Sequence, residues 1–305
     1  MHAYNPLPNS LDIGPISIAF YAIAILTGVI VALWLGSKEG EKIGIDPQII
    51  FDGIIWILPL AILGSRLYYV IFKWDVYRNN LGRIFNLAEG GLAIHGAFLT
   101  ALVAVIIYAR LKKFDLLKAL DLMAPGFLVA QAFGRWGNFF NQEAHGFVIG
   151  NLTNNRPNLS LDEQRAFLEN TLRLPRFVVD NMYIQGPSGL NYYHPTFLYE
   201  SLWNLTGFGL MLVLRRTKLI RSGDLVGIYL IWYSVGRFFI EGMRTDSLYF
   251  GQSNLRTAQV ISILSILAGF VVIGLNWFYF KRPKYAEVLA EPKPVYTKNT
   301  KPKKK

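Results

Sequence analysis

The chain of 305 residues contains no cysteine, and this absence excludes several classes of chemistry. Disulfides, thiolate metal sites and a catalytic thiol of the protein's own are impossible. Histidine is also scarce: His2, His95, His145 and His194 lie far apart and lack the short spacing that zinc enzymes use. No Ser-His-Asp arrangement or glycine-rich phosphate loop is evident. We therefore expect no metal site.

Charge is missing from long stretches of the sequence. Only 17% of the residues are Asp, Glu, Lys or Arg, whereas 52% are hydrophobic. Neither Ile16–Gly36 nor Thr257–Phe280 holds a charged residue. Crossing the ~30 Å hydrocarbon core takes about 20 helical residues. We predict an all-α polytopic membrane protein with about seven transmembrane helices, at residues 14–36, 48–72, 92–110, 117–140, 196–214, 224–241 and 257–280.

Basic residues are distributed unevenly between the two sides of these spans. The loops after the first, third and fifth spans, together with the C-terminal tail, contain 19 Lys and Arg; the opposite side contains 9. Basic loops favour the cytoplasm. We therefore predict a plasma-membrane protein whose N-terminus is outside and whose C-terminus is cytoplasmic. The first fifteen residues lack Lys and Arg, so the first apolar segment is predicted to be a retained span rather than a signal peptide.

These boundaries divide the chain into four parts. Residues 1–140 are predicted to hold four transmembrane helices, 141–195 an extracytoplasmic head segment, and 196–280 three further helices. The head segment should contain one short helix, because Ser160 and Glu163 have the spacing of a capping box. Residues 281–305 are basic and rich in proline, which predicts a disordered cytoplasmic tail attracted to anionic lipid headgroups. Nucleic-acid binding by this tail is disfavoured, since the positive-inside rule alone explains its charge.

Polar residues interrupt the apolar spans near their predicted outer ends. Ionisable groups are costly in lipid and usually functional. We expect them to converge on a common interior at one depth. Each also has a structural explanation: an ion pair that fixes packing, a core histidine, or an arginine that snorkels to the interface. The residues are Arg66, His95, Arg135, Glu200, Arg237 and Glu241.

Helical spacing groups some of these side chains. Arg135 and Asn138 share a helical face with Gln142, and Arg237 shares one with Glu241 and Arg244. Two arginines held by a carboxylate suit a phosphodiester. The alternative for Asn138 is hydrogen bonding between helices. The residue types and their predicted depth together indicate a phospholipid ligand.

Five sequence blocks resemble the bacterial phosphatidylglycerol–prolipoprotein diacylglyceryl transferase family. The most specific is the run from Gly134 to Gly146, which contains Gly-Arg, Gly-Asn-Phe, Asn and Glu at the expected offsets. The only departure noted is Ala97, where the family often has a second glycine after the histidine. The other four blocks, which span nearly the whole chain in order, are Ile13–Pro15 with Tyr21, Gly90–Gly96, His194–Glu200, and Gly236–Glu241 with Arg244.

The resemblance implies transfer of the diacylglyceryl group of phosphatidylglycerol to the lipobox cysteine thiol of prolipoprotein signal peptides. The products would be a thioether-linked precursor and glycerol 1-phosphate, with no cofactor. The resemblance also implies membrane lipids as partners, with His95, Arg135, Arg237 and Glu241 as expected catalytic residues. The expected phospholipid-binding residues are Arg135, Asn138, Glu143, Gly146, Arg237, Arg244 and Tyr21, and Arg66, His194 and Glu200 are secondary candidates.

Within that set, distinct roles are expected. Arg135 and Arg237 should clamp the phosphate, Glu241 should orient Arg237, and His95 is the candidate base for the thiol. Two other classes remain open. A lipid or anion transporter could use the same arginines but should show repeat symmetry, which is not evident. A structural membrane protein would not need converging charges.

Overall fold

Seven helices dominate the fold. A computed structural model describes residues 7–14, 16–86, 90–150, 158–245, 247–249 and 255–291. Within these ranges, seven helices are long and apolar enough to cross a membrane, as predicted. They are α1 (Phe20–Ile43), α2 (Pro47–Phe72), α4 (Ile94–Lys112), α5 (Leu116–Phe140), α8 (Thr196–Leu214), α9 (Asp224–Met243) and α10 (Thr257–Gly274), which a π turn extends to Tyr279.

Shorter elements connect these helices. α3 (Trp74–Tyr77) and a 3-10 turn (Leu81–Phe85) follow α2. Between α5 and α8 lie α6 (Leu161–Ala166), a π turn (Phe167–Thr171), α7 (Arg176–Asn181), β3 (Tyr183–Gly186) and β4 (Gly189–Tyr192). The chain begins with β1 (Ser10–Ile13) and β2 (Ile16–Ala19), and α11 (Tyr285–Ala290) follows the last span.

The prediction for the first span was wrong at both ends. Residues Ser10–Ile13 pair antiparallel with Ile16–Ala19, and Gly14 lies in the left-handed region at φ +61°. Helix α1 begins only at Phe20 and runs to Ile43. Lys and Glu are good helix formers, so the helix continues beyond the apolar stretch. Hydropathy marks where the chain is apolar, and it does not mark where a helix ends.

The chain divides into two compact units, which we describe separately. The first comprises residues 1–34 with 123–288, and the second comprises residues 35–122 with 289–305. In the second unit α2 packs along α4 at two glycines, Gly64 against Thr100 and Gly96 against Tyr68. Any side chain at either glycine would overlap the facing helix, so these contacts fix how closely α2 approaches α4.

In the first unit, paired tryptophans join α8 to α9. The Trp203 and Trp232 rings stack with centroids 4.5 Å apart. Each indole N–H donates to the other residue's carbonyl, at 2.8 Å from Trp203 and 3.0 Å from Trp232. Gly236 lies against Trp203 and Gly207 against Trp232. The pair therefore sets the position of α9 along α8, and with it the positions of polar residues nearer their ends.

The described residues of the segment between α5 and α8, 141–150 and 158–195, contribute to a hydrophobic core. The capping box at α6 is present: Glu163 N donates to Ser160 Oγ at 3.3 Å, and Ser160 N donates to Glu163 Oε2 at 2.8 Å. The prediction of a single short helix was incomplete, because α7 and the β3–β4 hairpin are also present. They contribute buried residues to a core that Phe139 and Phe197 join from α5 and α8.

The prediction that the basic segment after α10 is disordered was wrong for its first residues, which are ordered. Tyr285 is buried, and its N–H donates to Ile220 O at 3.0 Å. Arg282 Nε donates to Ser222 O at 2.8 Å. The apolar side chains of α11 thus dock on the loop between α8 and α9, which composition alone did not indicate. Residues 292–305 lie outside the described residues.

Candidate active site

A chain of ion pairs joins α5, α8 and α9 in the first unit. Arg135 Nη2 lies 2.7 Å from Glu200 Oε1, and Arg237 Nη1 lies 3.2 Å from Glu200 Oε2. Arg237 Nη2 lies 2.7 Å from Glu241 Oε2. Glu200 therefore bridges the two arginines with its two oxygens, while Glu241 fixes the second arginine from one helical turn away.

The carboxylates and guanidinium groups differ in exposure. The Glu200 and Glu241 side chains are each 3% exposed, whereas Arg135 retains 19% and Arg237 17%. Buried charges require a partner of opposite charge, and the two arginines supply it for the two glutamates. The accessible part of the cluster consequently belongs to its two cationic side chains. These side chains suit an anion.

The donors and acceptors continue from Arg135 into the end of α5. Arg135 Nη1 donates to Asn138 Oδ1 at 3.3 Å, and Asn138 Nδ2 donates to Glu143 Oε1 at 2.9 Å. Asn141 Nδ2 also donates to that oxygen, at 3.2 Å. The prediction that Gln142 shares the helical face of Arg135 was wrong, because α5 ends at Phe140 and Gln142 has φ +52°.

A strap formed by residues 141–146 ties three helix ends together. Thr196 Oγ1, in the first turn of α8, donates to Ala144 O at 2.5 Å. Gly146 N donates to His194 O at 2.9 Å, and Gly146 forms a β-bridge with Arg244 at the end of α9. A Cβ at Gly146 would lie 2.8 Å from the His194 Cβ. Gly146 therefore permits close backbone approach.

Tyr21 packs against Gly137, two residues after Arg135 on α5. A Cβ at Gly137 would lie 3.1 Å from Tyr21 Cα, so the glycine makes room for the tyrosine on α1. The Tyr21 side chain stays 38% exposed. Tyr233, one turn before Arg237 on α9, also interacts with Arg135 through its side chain. Sequence reasoning missed Tyr233, although its spacing from Arg237 on the same helix could have indicated it.

His194 is a buried histidine in the wall beside the strap. It is 7% exposed, its Nδ1 lies 3.1 Å from Tyr199 Oη, and its ring meets Phe167 edge-on. Burial lowers the pKa of His194 to about 4. The ring is therefore neutral at physiological pH and adds no positive charge to the arginine cluster.

Arg66, in the second unit, has a different environment from the other two span arginines. Its Nε donates to Ile84 O at 2.9 Å, and its Nη atoms donate to the carbonyls of Arg83, Asn86, Gly90 and Gly91 at 2.6–3.1 Å. The guanidinium also lies 5.1 Å from the Tyr77 ring centroid. All five N–H groups are thus used to hold the loop after α2, and no donor remains for a phosphate. Arg66 therefore neither snorkels to the interface nor has a donor left to bind an anion.

His95 lies in the first turn of α4, also in the second unit. Its side chain is exposed, and its ring is stacked with Tyr68 at a centroid distance of 6.2 Å. It is therefore not a core histidine, which was the structural alternative. Among the described residues, no three His, Asp or Glu side chains lie close enough together to hold a metal ion.

Comparison with known proteins identifies the family. The prolipoprotein diacylglyceryl transferase family model matches residues 8–275. A Listeria innocua phosphatidylglycerol–prolipoprotein diacylglyceryl transferase is 47% identical over 92% of this chain and 93% of its own length. A Bacillus cereus protein of the same name is 46% identical over 90% and 91%. The chain therefore belongs to the prolipoprotein diacylglyceryl transferase family and is a multi-pass bacterial membrane transferase of lipoprotein maturation.

Proposed function

We propose that this chain transfers the diacylglyceryl group of phosphatidylglycerol to the lipobox cysteine thiol of prolipoprotein signal peptides, with the Arg135–Glu200–Arg237–Glu241 cluster binding the phosphate. Relatives at 46–47% identity bear the corresponding enzyme name. The observation that carries the site is the pair of arginines whose carboxylate partners are buried while their own side chains remain partly accessible.

Charge development in this reaction fits such a pair. The thiol sulfur forms a bond to the carbon of the diacylglyceryl group that carries the phosphate, and the bond from that carbon to the phosphate oxygen breaks. The bonding electrons leave with glycerol 1-phosphate, whose negative charge grows on the oxygens nearest the clamp. Arg135 and Arg237, fixed by Glu200 and Glu241, stabilise this charge without reorganising.

The other residues of the signature run position the substrates. Asn138 and Glu143 form a hydrogen-bonded pair next to Arg135, suited to the glycerol hydroxyls of the donor headgroup. Tyr21 and Arg244 lie in the same unit. Because Gly146 has no side chain, the strap can approach His194 closely. We assign these residues to phospholipid binding. Arg66 supports the second unit, and no cofactor takes part.

His95 is our proposed base for the thiol proton. The thiolate is the competent nucleophile, and a histidine is suited to accept its proton near neutral pH. Its exposed position in the first turn of α4 supports this role. In a purified assay, His95→Gln should lower kcat and steepen its dependence on pH above 7. Full turnover by this variant would remove His95 from the mechanism.

The proposal includes an orientation. The excess of Lys and Arg on one side of the spans supports a cytoplasmic C-terminus and an external N-terminus. The residue 141–195 segment and the cluster near the adjoining ends of α5, α8 and α9 would then lie at the outer face. Signal peptides and phosphatidylglycerol would meet there, and nucleic acid would have no part. Protease protection of tagged termini in sealed vesicles tests this arrangement.

The test of function is turnover in detergent. Purified protein receives phosphatidylglycerol and a peptide with a lipoprotein-type cysteine, and release of glycerol phosphate is followed. Release should require the thiol, so a Cys→Ser peptide gives none, and should be lost in Arg135→Ala. Arg110→Ala, which removes an exposed arginine at the end of α4, is the matched control. No release by folded protein would overturn the transferase proposal and favour lipid or anion translocation.

A further inference from the structure

Two cavities adjoin one another in the second unit, and neither contains a residue of the arginine cluster. One, of about 380 Å³, lies between the end of α1 and the connection from α4 to α5. The other, of about 480 Å³, runs between α2 and α4 and is lined by Trp56, Leu60, Val103 and Ile107 among others. Lys112 lines both. The two cavities therefore meet at Lys112, the first more polar and the second mainly apolar.

Three lysines and two aspartates line the polar end, which gives it a formal net charge of +1. Lys112, Lys113 and Lys118 line it, and none of them forms an ion pair with the described residues. The two acids at its rim are engaged in capping helices. Asp46 Oδ1 accepts from Gln48 N at 2.8 Å, and Asp115 Oδ1 accepts from Leu117 N at 2.9 Å. The lysines therefore face this cavity without a carboxylate partner.

Tyr108 joins the polar end to the apolar groove. Its hydroxyl donates to Ile49 O at 2.9 Å, its ring contacts Phe114, and Lys112 Nζ lies 5.9 Å from its centroid. Beyond it, the groove wall consists of large apolar side chains that stay exposed, including Trp56 at 66% and Ile107 at 53%. A wall of this kind fits a hydrocarbon chain and excludes a soluble anion as the complete ligand.

The groove has the length of one membrane leaflet. It is lined from Lys112 to Thr100, where the contact of Thr100 with Gly64 brings α2 and α4 together. That stretch of α4 rises about 18 Å at 1.5 Å per residue, a little over half of the ~30 Å hydrocarbon core. A phospholipid with its phosphate at the lysines would thus place one acyl chain along the groove.

We propose that this feature is a binding site for one anionic phospholipid that is retained rather than consumed. Its phosphate is held by Lys112, Lys113 and Lys118, and one acyl chain fills the groove between Trp56 and Val103. Basic cavities between transmembrane helices characteristically hold anionic headgroups on the cytoplasmic side. The orientation proposed above puts this lipid in the cytoplasmic leaflet, away from the substrate leaflet.

Native mass spectrometry of the full-length protein, titrated with phosphatidylglycerol, tests the site directly and without reference to turnover. All measurements use an Arg135→Gln background to weaken binding at the arginine cluster. The triple change Lys112→Gln, Lys113→Gln and Lys118→Gln should weaken binding of one lipid about 100-fold, since each lysine contributes about fivefold at an anionic surface. Changing Lys303, Lys304 and Lys305 to Gln removes the same charge and should have no comparable effect.

Further variants separate the two ends of the lipid. Replacing the three lysines by Arg should retain binding, and Ala104→Trp, which fills the groove, should reduce it with the lysines intact. Phosphatidylcholine with the same chains should bind weakly, and millimolar glycerol phosphate should not displace the lipid. Displacement by glycerol phosphate would overturn the proposal in favour of a soluble-phosphate site. Equal binding by the two triple-Gln variants would overturn it altogether.

Discussion

Both units contain arginines within apolar helices, but the partners are backbone carbonyls in one unit and carboxylates in the other. Arg66 directs all five N–H groups at backbone carbonyls of residues 83–91, and no described carboxylate pairs with it. Arg135 and Arg237 are instead paired with Glu200 and Glu241 through a few of their N–H groups. The first guanidinium is saturated, whereas the other two belong to side chains that remain partly accessible, at 19% for Arg135 and 17% for Arg237.

From this contrast we infer how a structural arginine differs from an arginine proposed to bind a substrate in a membrane protein. Carbonyl dipoles satisfy a guanidinium by using up its donors, which turns it into a fixed cross-link. A carboxylate neutralises the charge and sets its orientation while leaving other donors available. Burial alone therefore does not indicate function, because Arg66 is buried more deeply than either arginine of the cluster.

The largest expected effect is on stability, from Glu200→Gln. Arg135 and Arg237 would both lose their shared counterion, and breaking a buried pair typically costs about 3–5 kcal/mol of unfolding free energy. Thermal unfolding in detergent measures this loss. Glu143→Gln is the control, because exposed Glu143 accepts hydrogen bonds from two amides and should cost little. Equal stability of the two variants would show that the cluster arginines do not depend on Glu200.

Next in size is the effect of replacing arginine by lysine on each side of the comparison. Arg237→Lys should lower kcat about 10²–10³-fold, the usual effect of losing one donor to transition-state charge. Arg66→Lys should instead lower Tm, since three donors cannot serve five carbonyls, while kcat of the folded fraction stays within a fewfold. A lower kcat of Arg66→Lys at an unchanged Tm would contradict the structural role of Arg66.

Two glycines on α5 test packing next to Arg135. A side chain at Gly137 would overlap Tyr21, whereas nothing lies within 4 Å of one at Gly134. Gly137→Ala should lower the unfolding free energy by about 1–3 kcal/mol through overpacking. Gly134→Ala should be neutral, or stabilising by up to about 1 kcal/mol, because alanine favours helix. Paired unfolding measurements decide, and equal effects would contradict the close contact with Tyr21.

The smallest effect expected is a pH dependence confined to the first unit. The folded-state pKa of His194, about 4, lies below the usual 6.5, so the unfolded chain binds the proton more readily. Stability is therefore fully present above about pH 6.5 and falls as the pH drops towards 4. We expect a loss of about 1–2 kcal/mol between pH 7 and pH 5.

His194→Gln should flatten this particular loss, as measured by unfolding at several pH values. The carbonyl contacts of Arg66 involve no titrating group, so hydrogen exchange of the loop at residues 83–86, corrected for its intrinsic pH dependence, should not change over that range. An equal response of that loop in the wild-type protein would argue against a local origin at His194.

Sequence reasoning recovered much of this picture for identifiable reasons. The spans are long apolar runs, and the signature around Arg135 is local in sequence, so both could be predicted without tertiary information. The capping box at Ser160 is similarly local. The hairpin ahead of Phe20 was missed because its residues continue the apolar pattern of the following helix.

The sequence could not predict which groups pair with each buried arginine. Glu200 was expected to be secondary, yet it bridges both arginines of the cluster. The bridge depends on how α5, α8 and α9 approach one another, which the Trp203–Trp232 pair and several glycines determine. Arg66 shows the same limit, since its partners are backbone atoms and leave no side-chain signal in the sequence.

The bridging of Arg135 by Glu200 constrains the biogenesis of the protein. Helix α5 leaves the ribosome before α8, so Arg135 enters the translocon when its only side-chain partner on the same helix is Asn138. An unpaired arginine resists release into lipid. Helix α5 should therefore wait at the translocon until α8 delivers Glu200, and the helices that carry the cluster would leave for the bilayer together, with the four charges of the cluster balanced.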